Sequence, residues 1–155
     1  MEPIMIRKAT LADLEILLSF EQGVISAERP FDSTLKKGDT NYYDIEKMIH
    51  ATDVELLVAE LDHELVGSGY ARIENAKPYL QHRQHAYLGF MYVKPKHRGK
   101  GINKMIINEL AKWSASQNIT ELRLDVYQPN ESAIKAYERV GFVKHMVHMR
   151  MGIKE

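Results

Sequence analysis

Residues 97–104, HRGKGINK, place four basic side chains and two glycines between a predicted strand and a predicted helix. The preceding residues 86–95, AYLGFMYVKP, are typical of a strand, and residues 102–116, INKMIINELAKWSAS, of a helix. Glycines allow backbone N–H groups to converge, and a helix N-terminus adds its unpaired N–H groups and its positive dipole end. The stretch therefore predicts an anion site for a phosphate or pyrophosphate, with a solvated basic turn as the alternative.

The spacing of this loop separates it from the two common nucleotide loops. It lacks the Walker A spacing and the third glycine of the dinucleotide-binding fingerprint, and no series of βαβ units follows it. Arg98, Lys100 and Lys104 would contribute positive charge to a bound anion.

The composition indicates one ordinary globular domain over residues 1–155. Lysine plus arginine equals aspartate plus glutamate at 21 each, so no overall field attracts nucleic acid or a membrane. The absence of cysteine excludes disulfides, thiolate nucleophiles and cysteine-based zinc sites. No apolar run approaches membrane-spanning length, and we expect a cytoplasmic protein without nucleic-acid or membrane partners.

The periodicity predicts a single mixed α/β domain in the order β-α-α-β-β-β-α-β-α-β. Thr10 is expected to cap the first helix, Ile25 to Thr40 to form a loop, and Asn130 to cap the last helix. The predicted strands are 4–9, 54–61, 65–74, 86–95, 120–128 and 141–153, and the predicted helices are 10–24, 41–51, 102–116 and 130–140.

Two motifs carry a resemblance to the GCN5-related N-acetyltransferase (GNAT) family. VKPKHRGKGINKMII (93–107) is similar to its pyrophosphate-binding segment, with Arg98, Gly99, Lys100, Gly101 and Ile102 matching and Asn103 standing where the family has a small residue. LDVYQPNESAIKAYERVGFV (124–143) resembles its later motif and matches at Asn130, Ala133, Ile134, Tyr137, Gly141 and Phe142. The element order also agrees, and the resemblance covers nearly the whole chain.

The resemblance implies that acetyl-coenzyme A is bound and that its acetyl group moves to an amine. The backbone from Gly99 to Lys104 would hold the pyrophosphate, and the family pairs the pantetheine amides with the preceding strand. The full implied set is Met91, Tyr92, Val93, Arg98, Gly99, Lys100, Gly101, Ile102, Asn103, Lys104, Asn130, Ala133 and Tyr137. For Asn130, helix capping alone is the alternative to a pantetheine contact.

The resemblance implies a catalytic role for Tyr137, although a tyrosine on an apolar helix stripe is more often a core residue. Tyr137 lies seven residues after Asn130, on the same helix face, and its hydroxyl would protonate the departing thiolate. The backbone N–H of Val93 would stabilise the oxyanion.

The base that deprotonates the amine is less clearly marked. Many family members carry an acid just before the pyrophosphate loop, but residues 88–91 are LGFM. Asp125 is the substitute, because some family members that acetylate protein N-termini carry an acid there; an exposed strand residue is the alternative. Glu28, His85 and ordered water remain weaker candidates.

The sequence leaves the acceptor and the oligomeric state open. Specificity in the family rests on segments that correspond to residues 21–44 and 74–84, and the first could hold a cationic amine through Glu21, Glu28, Asp32, Asp39 and Asp44, or simply be solvated. A non-catalytic coenzyme A-binding module is the alternative function, and another acyl group or an oxygen nucleophile also remains open. Homodimers are common in the family, and no metal is expected, since the paired histidines are spaced by three.

Overall fold

The computed structural model describes residues 3–154, and the chain divides into two compact units, Met1–Asp125 and Val126–Glu155. The first unit contains a five-stranded sheet and three helices. The second contains one helix, followed by chain without regular secondary structure as far as Lys154.

The sheet has the strand order β1-β2-β3-β4-β5, which is also the chain order. The first four strands pair antiparallel, and β5 pairs parallel to β4 because a helix carries the chain back between them. The strands are β1 Met5–Lys8, β2 Val54–Leu61, β3 Glu64–Asn75, β4 Gln84–Val93 and β5 Leu122–Arg123. The helices are α1 Leu14–Glu28, α2 Ile45–His50, α3 Ile102–Ser116 and, in the second unit, α4 Glu131–Val140.

Helices cover both faces of the sheet in the first unit. The buried cluster on one face joins α1 and α2 to the alternate residues Leu56 and Val58 of β2. On the other face, a Cβ at Gly69 would lie 2.8 Å from Cγ2 of Ile106, so only glycine lets α3 approach β3 this closely. The sheet is therefore fixed from both sides near the end of β4.

Most of the predicted elements are confirmed. The bounds of β2 and α3 are those expected from sequence, and Thr10 pairs with Asp13 in a capping box at a 3₁₀ turn that leads into α1. The predicted loop from Ile25 is wrong at its start, because α1 continues to Glu28. Val24 and Ile25 are buried, as are Leu17 and Phe20 earlier in the helix, and this burial favours continuing the helix past the glycine at position 23.

The C-terminal strands differ from the prediction. The mixed α/β class is confirmed, but β5 has two residues instead of nine, and Phe142–Lys154 form no strand within the described residues 3–154. Alternating apolar side chains suit a strand, but they form one only where another strand edge supplies hydrogen-bond partners.

The second unit is built around α4. Asn130 caps the helix as predicted, since its side-chain oxygen accepts a 3.3 Å hydrogen bond from the N–H of Ala133. Gly141 ends the helix with φ 125°, and the Phe142 ring then packs edge-on against Tyr137 at 5.9 Å between centroids.

Candidate active site

A bulge interrupts β4 in its second half. Tyr70 pairs with Gly89 and Ser68 with Tyr92, so Phe90 and Met91 together lie opposite a single residue of β3. Phe90 has φ 54°, a conformation that a bulky residue rarely adopts and that costs about 1–3 kcal/mol. Its side chain is only 2% exposed and stacks on Tyr43 at 4.9 Å, so core packing holds the bulge in place.

Ser68 satisfies the backbone at the bulge. Its hydroxyl donates a buried 3.0 Å hydrogen bond to the carbonyl of Phe90. Neither Ser68 nor Phe90 was predicted as a site residue. The available signal was the clustering of glycines at 67, 69 and 89, since glycine within a strand often marks a bulge or a close backbone approach.

The bulged half of β4 has one open edge. β5 pairs with β4 only at Ala86 and Tyr87, and within residues 3–154 the remainder of β4 has strand partners only in β3. Beyond Tyr87, the side of β4 that faces away from β3 is therefore available to a ligand with amide groups.

Val93 directs its backbone toward this open edge. The N–H of Lys94 donates a 2.9 Å hydrogen bond to the carbonyl of Val66. The neighbouring pair, Val93 and Gly67, is therefore a non-hydrogen-bonded pair, in which the backbone N–H and C=O of each residue point away from the partner strand. Consistently, Nε of Arg98 donates a 3.0 Å hydrogen bond to the Val93 carbonyl. The Val93 N–H thus faces outward.

The same alternation directs the backbone groups of Met91 and Tyr92, the two residues before Val93, to opposite edges of β4. Tyr92 directs its N–H and C=O toward Ser68, which leaves Met91 and Val93 as the residues whose backbone groups face the open edge. The Tyr92 ring packs against Phe20 at 4.8 Å, and a Cβ at Gly23 would lie only 2.6 Å from it. Tyr92 therefore anchors α1 beside the bulge.

The predicted anion loop follows β4 directly. Gly99 and Gly101 have φ 81° and 79°, and open space surrounds both positions, so glycine is required there by the backbone and not by crowding. The first bond of α3 runs from the Met105 N–H to the Gly101 carbonyl at 3.1 Å. The N–H groups of residues 102–104 precede this bond and remain available at the helix N-terminus.

Some of the basic side chains around the loop are paired with carboxylates and others are not. Nζ of Lys94 lies 2.6 Å from Glu64 and holds the pKa of that carboxyl below its usual range. Among the residues described, Arg98, Lys100 and Lys104 form no ion pair with a carboxylate. Desolvation and the ammonium of Lys100, 3.0 Å from Nδ1 of His97, lower the pKa of His97. Positive charge therefore accumulates at the start of α3.

Asp125 lies in the first unit and is fixed by a strand residue. The hydroxyl of Tyr87 donates a 3.1 Å hydrogen bond to Oδ2 of Asp125. Burial and the Asp125 carboxylate raise the pKa of Tyr87, so the phenol remains a donor. Arg72 lies over the Tyr87 and Tyr70 rings at 5.5 and 5.6 Å, which packs this face of the sheet.

The two weaker base candidates have different environments. Burial raises the pKa of Glu28, which ends α1 near Tyr42 and Tyr43. His85 is buried, and its Nε2 lies 3.2 Å from Glu74. Burial therefore makes Glu28 bind a proton more readily than an exposed glutamate does.

The acidic segment 21–44 does not present all of its carboxylates to a ligand. Glu21 is fully buried, and its Oε2 accepts hydrogen bonds from the N–H groups of Tyr42 and Tyr43 at 2.8 and 2.7 Å. Asp44 caps α2 through the Lys47 N–H at 3.2 Å. The expectation that Glu21 could hold a cationic amine is therefore wrong, since it organises the loop backbone instead.

The predicted residues fall into both units. The first contains Asp125 and the β4 and loop positions, namely Met91, Tyr92, Val93, Arg98, Gly99, Lys100, Gly101, Ile102, Asn103 and Lys104. The second contains Asn130, Ala133 and Tyr137, with the first two in the cap and Tyr137 two turns further on, half-buried. Within residues 3–154 no helix is long and apolar enough to cross a membrane, and no three metal-binding side chains are grouped for an ion.

Known structures share this fold. A mutant protein from Bacillus halodurans superposes with a TM-score of 0.88 at 18% identity, over 97% of this chain and 99% of that one. A predicted acetyltransferase from Clostridium acetobutylicum, solved with acetyl-CoA, gives 0.70 at 19% identity over 97% and 96%. An aminoglycoside antibiotic 6'-N-acetyltransferase from Acinetobacter haemolyticus gives 0.74 at 18% identity over 97% and 99%.

The sequence itself matches a family model. The model of the acetyltransferase (GNAT) family aligns with residues 23–142, a span that runs from α1 through the anion loop to the residue after α4's terminal glycine. Because this match covers more than half of the sequence, the chain belongs to the GNAT acetyltransferase family.

Proposed function

We propose that the chain is an N-acetyltransferase that moves an acetyl group from acetyl-CoA to a primary amine of a small molecule, a protein N-terminus or a lysine. The observation that carries the proposal is the open edge of β4, which leads from the bulge at Phe90 directly into the positively charged loop at Gly99–Gly101. The edge of β4 presents backbone N–H and C=O groups to a ligand, and the loop that follows β4 would bind its anionic group.

The geometry fits the two polar parts of coenzyme A. Val93 and Met91 would pair with the pantetheine amides as an added strand would. The N–H groups from Gly99 to Lys104 would hold the pyrophosphate, with charge from Arg98, Lys100 and Lys104. The second unit would contribute Asn130 and Ala133 to the pantetheine arm.

The chemistry is a direct attack of the amine on the thioester carbonyl. A carbon–nitrogen bond forms, the carbon–sulfur bond breaks, and the sulfur leaves with the bonding electrons. The Val93 N–H, directed away from β3, would stabilise the oxyanion of the tetrahedral intermediate. The Tyr137 hydroxyl would give its proton to the sulfur.

Asp125 is the proposed acceptor of the proton from the amine. The hydrogen bond from Tyr87 fixes the carboxylate and still leaves its second oxygen for a proton or a water. Glu28 is the alternative base, favoured by its raised pKa and its position near Tyr43. Both carboxylates would also attract a cationic amine, the class of acceptor that the aminoglycoside enzyme's name indicates for that protein.

The proposal is tested in two steps. Calorimetry with acetyl-CoA measures binding, and a thiol-release assay over a panel of amines (polyamines, aminoglycosides, amino sugars and peptides with free N-termini) measures transfer. Thiol release on at least one amine class supports the transferase. Binding without release on any amine supports the alternative, a coenzyme A-binding module, and absence of binding contradicts both.

A further inference from the structure

Arg98 lies at the open edge of β4, where a bound chain would pair with the strand. Its Nε donates a 3.0 Å hydrogen bond to the carbonyl of Val93, and this carbonyl faces away from β3. An amide N–H of an added strand would use the same acceptor. The edge has no strand on it beyond Tyr87 within residues 3–154, but its last carbonyl is already bound by a side chain of the protein itself.

The turn after β4 brings Arg98 back to this edge. Pro95–His97 form a 3₁₀ turn, and the N–H of Arg98 donates to the Pro95 carbonyl at 3.3 Å. The backbone of Arg98 thus leads into the anion loop, while its side chain returns to Val93, five residues earlier. All of these residues belong to the unit Met1–Asp125.

The guanidinium of Arg98 has no carboxylate to balance its charge. Glu64, which lies near the loop, is paired with Lys94 at 2.6 Å and with Lys96 at 3.7 Å. Among residues 3–154, Arg98 forms no ion pair, and its hydrogen bond goes to a neutral carbonyl. A guanidinium binds phosphate oxygens more strongly than a neutral acceptor, and it can do so through two N–H groups at once. A pyrophosphate in the adjoining loop would therefore draw Arg98 away from β4.

We propose that Arg98 makes binding of the pantetheine arm depend on the pyrophosphate, and thereby selects coenzyme A thioesters over pantetheine thioesters that lack it. This inference rests on the proposed function, because it requires that β4 binds the arm and that the loop binds the pyrophosphate. Without a pyrophosphate, Arg98 keeps the Val93 carbonyl, and the arm has to displace it. With one, the guanidinium moves to the phosphate oxygens, and the carbonyl becomes free for an amide N–H of the arm.

This coupling predicts opposite effects of one substitution on two ligands. Arg98→Met removes the guanidinium and keeps an unbranched side chain. The affinity for pantetheine should rise by about two- to tenfold, the range that one hydrogen bond to a neutral acceptor contributes. The affinity for coenzyme A should fall, because the variant lacks a cation beside the pyrophosphate. A residue that only attracts the pyrophosphate would leave the pantetheine affinity unchanged.

Calorimetry with pantetheine and with coenzyme A measures these affinities in the wild type and the variant. Lys96→Met is the matched control, since Lys96 is an exposed cation on the same turn, with its ammonium 3.7 Å from Glu64. The control should bind pantetheine as the wild type does. If pantetheine affinity does not rise in Arg98→Met, the carbonyl serves both donors at once and the inference is wrong. Absence of pantetheine binding to both proteins would also overturn it, because the edge would then not hold the arm.

The wild-type chain supplies a second test that needs no substitution. ADP brings a pyrophosphate to the loop without an arm, so it should strengthen the binding of pantetheine, and pantetheine should strengthen the binding of ADP by the same factor. In Arg98→Met the two ligands should bind independently. Independent binding in the wild type, or equal coupling in both proteins, would overturn the role of Arg98.

A failure of the proposed function gives a different result. If coenzyme A does not bind the wild type, the proposed function fails and this inference fails with it. If coenzyme A binds, but Arg98→Met changes neither the pantetheine affinity nor the coupling to ADP, only the inference fails. With an amine acceptor in hand, kcat/KM for acetyl-pantetheine should rise in Arg98→Met while that for acetyl-CoA falls. A fall for both donors would overturn the inference and leave the transferase standing.

Discussion

The hydroxyl of Tyr87 on β4 donates a 3.1 Å hydrogen bond to the carboxylate of Asp125, two residues past the end of β5. The bond joins the strand that would bind acetyl-CoA to the group proposed to deprotonate the acceptor. It also ties the chain just beyond β5 to β4, where the two strands share only two paired positions.

Replacing Asp125 tests the base. Asp125→Asn keeps the shape and the bond from Tyr87 but removes the basicity, so kcat/KM should fall at neutral pH and recover partly at alkaline pH, where free amine is more abundant. A pH–rate profile measures this, with Asp62→Asn, in the turn between β2 and β3, as the control. An unchanged profile would show that Asp125 is not the base, and Glu28 or water would then accept the proton.

Gly101→Glu should abolish acetyl-CoA binding. The carboxylate would occupy the space intended for the pyrophosphate, and a side chain would strain a backbone with φ 79°. Gly38→Glu is the matched control, since Gly38 has φ 78°, is also surrounded by open space and lies far from the loop in sequence. Calorimetry should show binding only in the control, and near wild-type affinity in folded Gly101→Glu would refute the assignment of the loop.

Tyr137→Phe should lower kcat by about a hundredfold and leave acetyl-CoA affinity nearly unchanged, because it removes a proton donor and keeps the ring. The ring contact with Phe142 at 5.9 Å should survive in the variant. Tyr79→Phe, at an 82% exposed position, serves as the control. Full activity across pH would make Tyr137 a packing residue.

Ser68→Ala should destabilise the fold by about 1–3 kcal/mol, because the buried Phe90 carbonyl at the bulge loses its donor. It should also lower kcat, since the bulge sets the direction of the following backbone groups. Ser114→Ala removes another buried serine, which donates to Leu110 at 2.8 Å within α3, and should leave kcat unaltered. Urea unfolding measures the stability of both variants, and steady-state kinetics measures their kcat. Equal kcat values for the two variants would show that the bulge does not affect catalysis.

Lys100→Met should raise the pKa of His97, because the neighbouring ammonium disfavours a second positive charge. In the wild type the folded pKa lies below the ordinary value of about 6.5, so the unfolded chain binds the proton more readily, and stability falls as pH drops below that value. The variant should therefore lose less stability as the pH falls below that value. Proton NMR of the His97 ring measures the pKa, and no change would show that Lys100 does not act on it.

The sequence by itself determined the elements that depend on local pattern. The loop glycines, the Asn130 cap and the bounds of β2 and α3 follow from backbone preference, capping and periodicity, all of which act within a few residues. The charges of Arg98, Lys100 and Lys104 beside a helix N-terminus likewise predict an anion site from sequence alone.

Tertiary structure decided what depends on distant partners. The positive φ of Phe90 exists because Ser68 and Tyr43 hold it, Glu21 is buried because it binds the backbone of residues 42 and 43, and Asp125 is positioned by Tyr87. Residues 141–153 show the limit most clearly. Their alternation specifies which face is apolar, but a strand forms only where another edge supplies hydrogen bonds, and Phe142–Lys154 form no strand among the described residues.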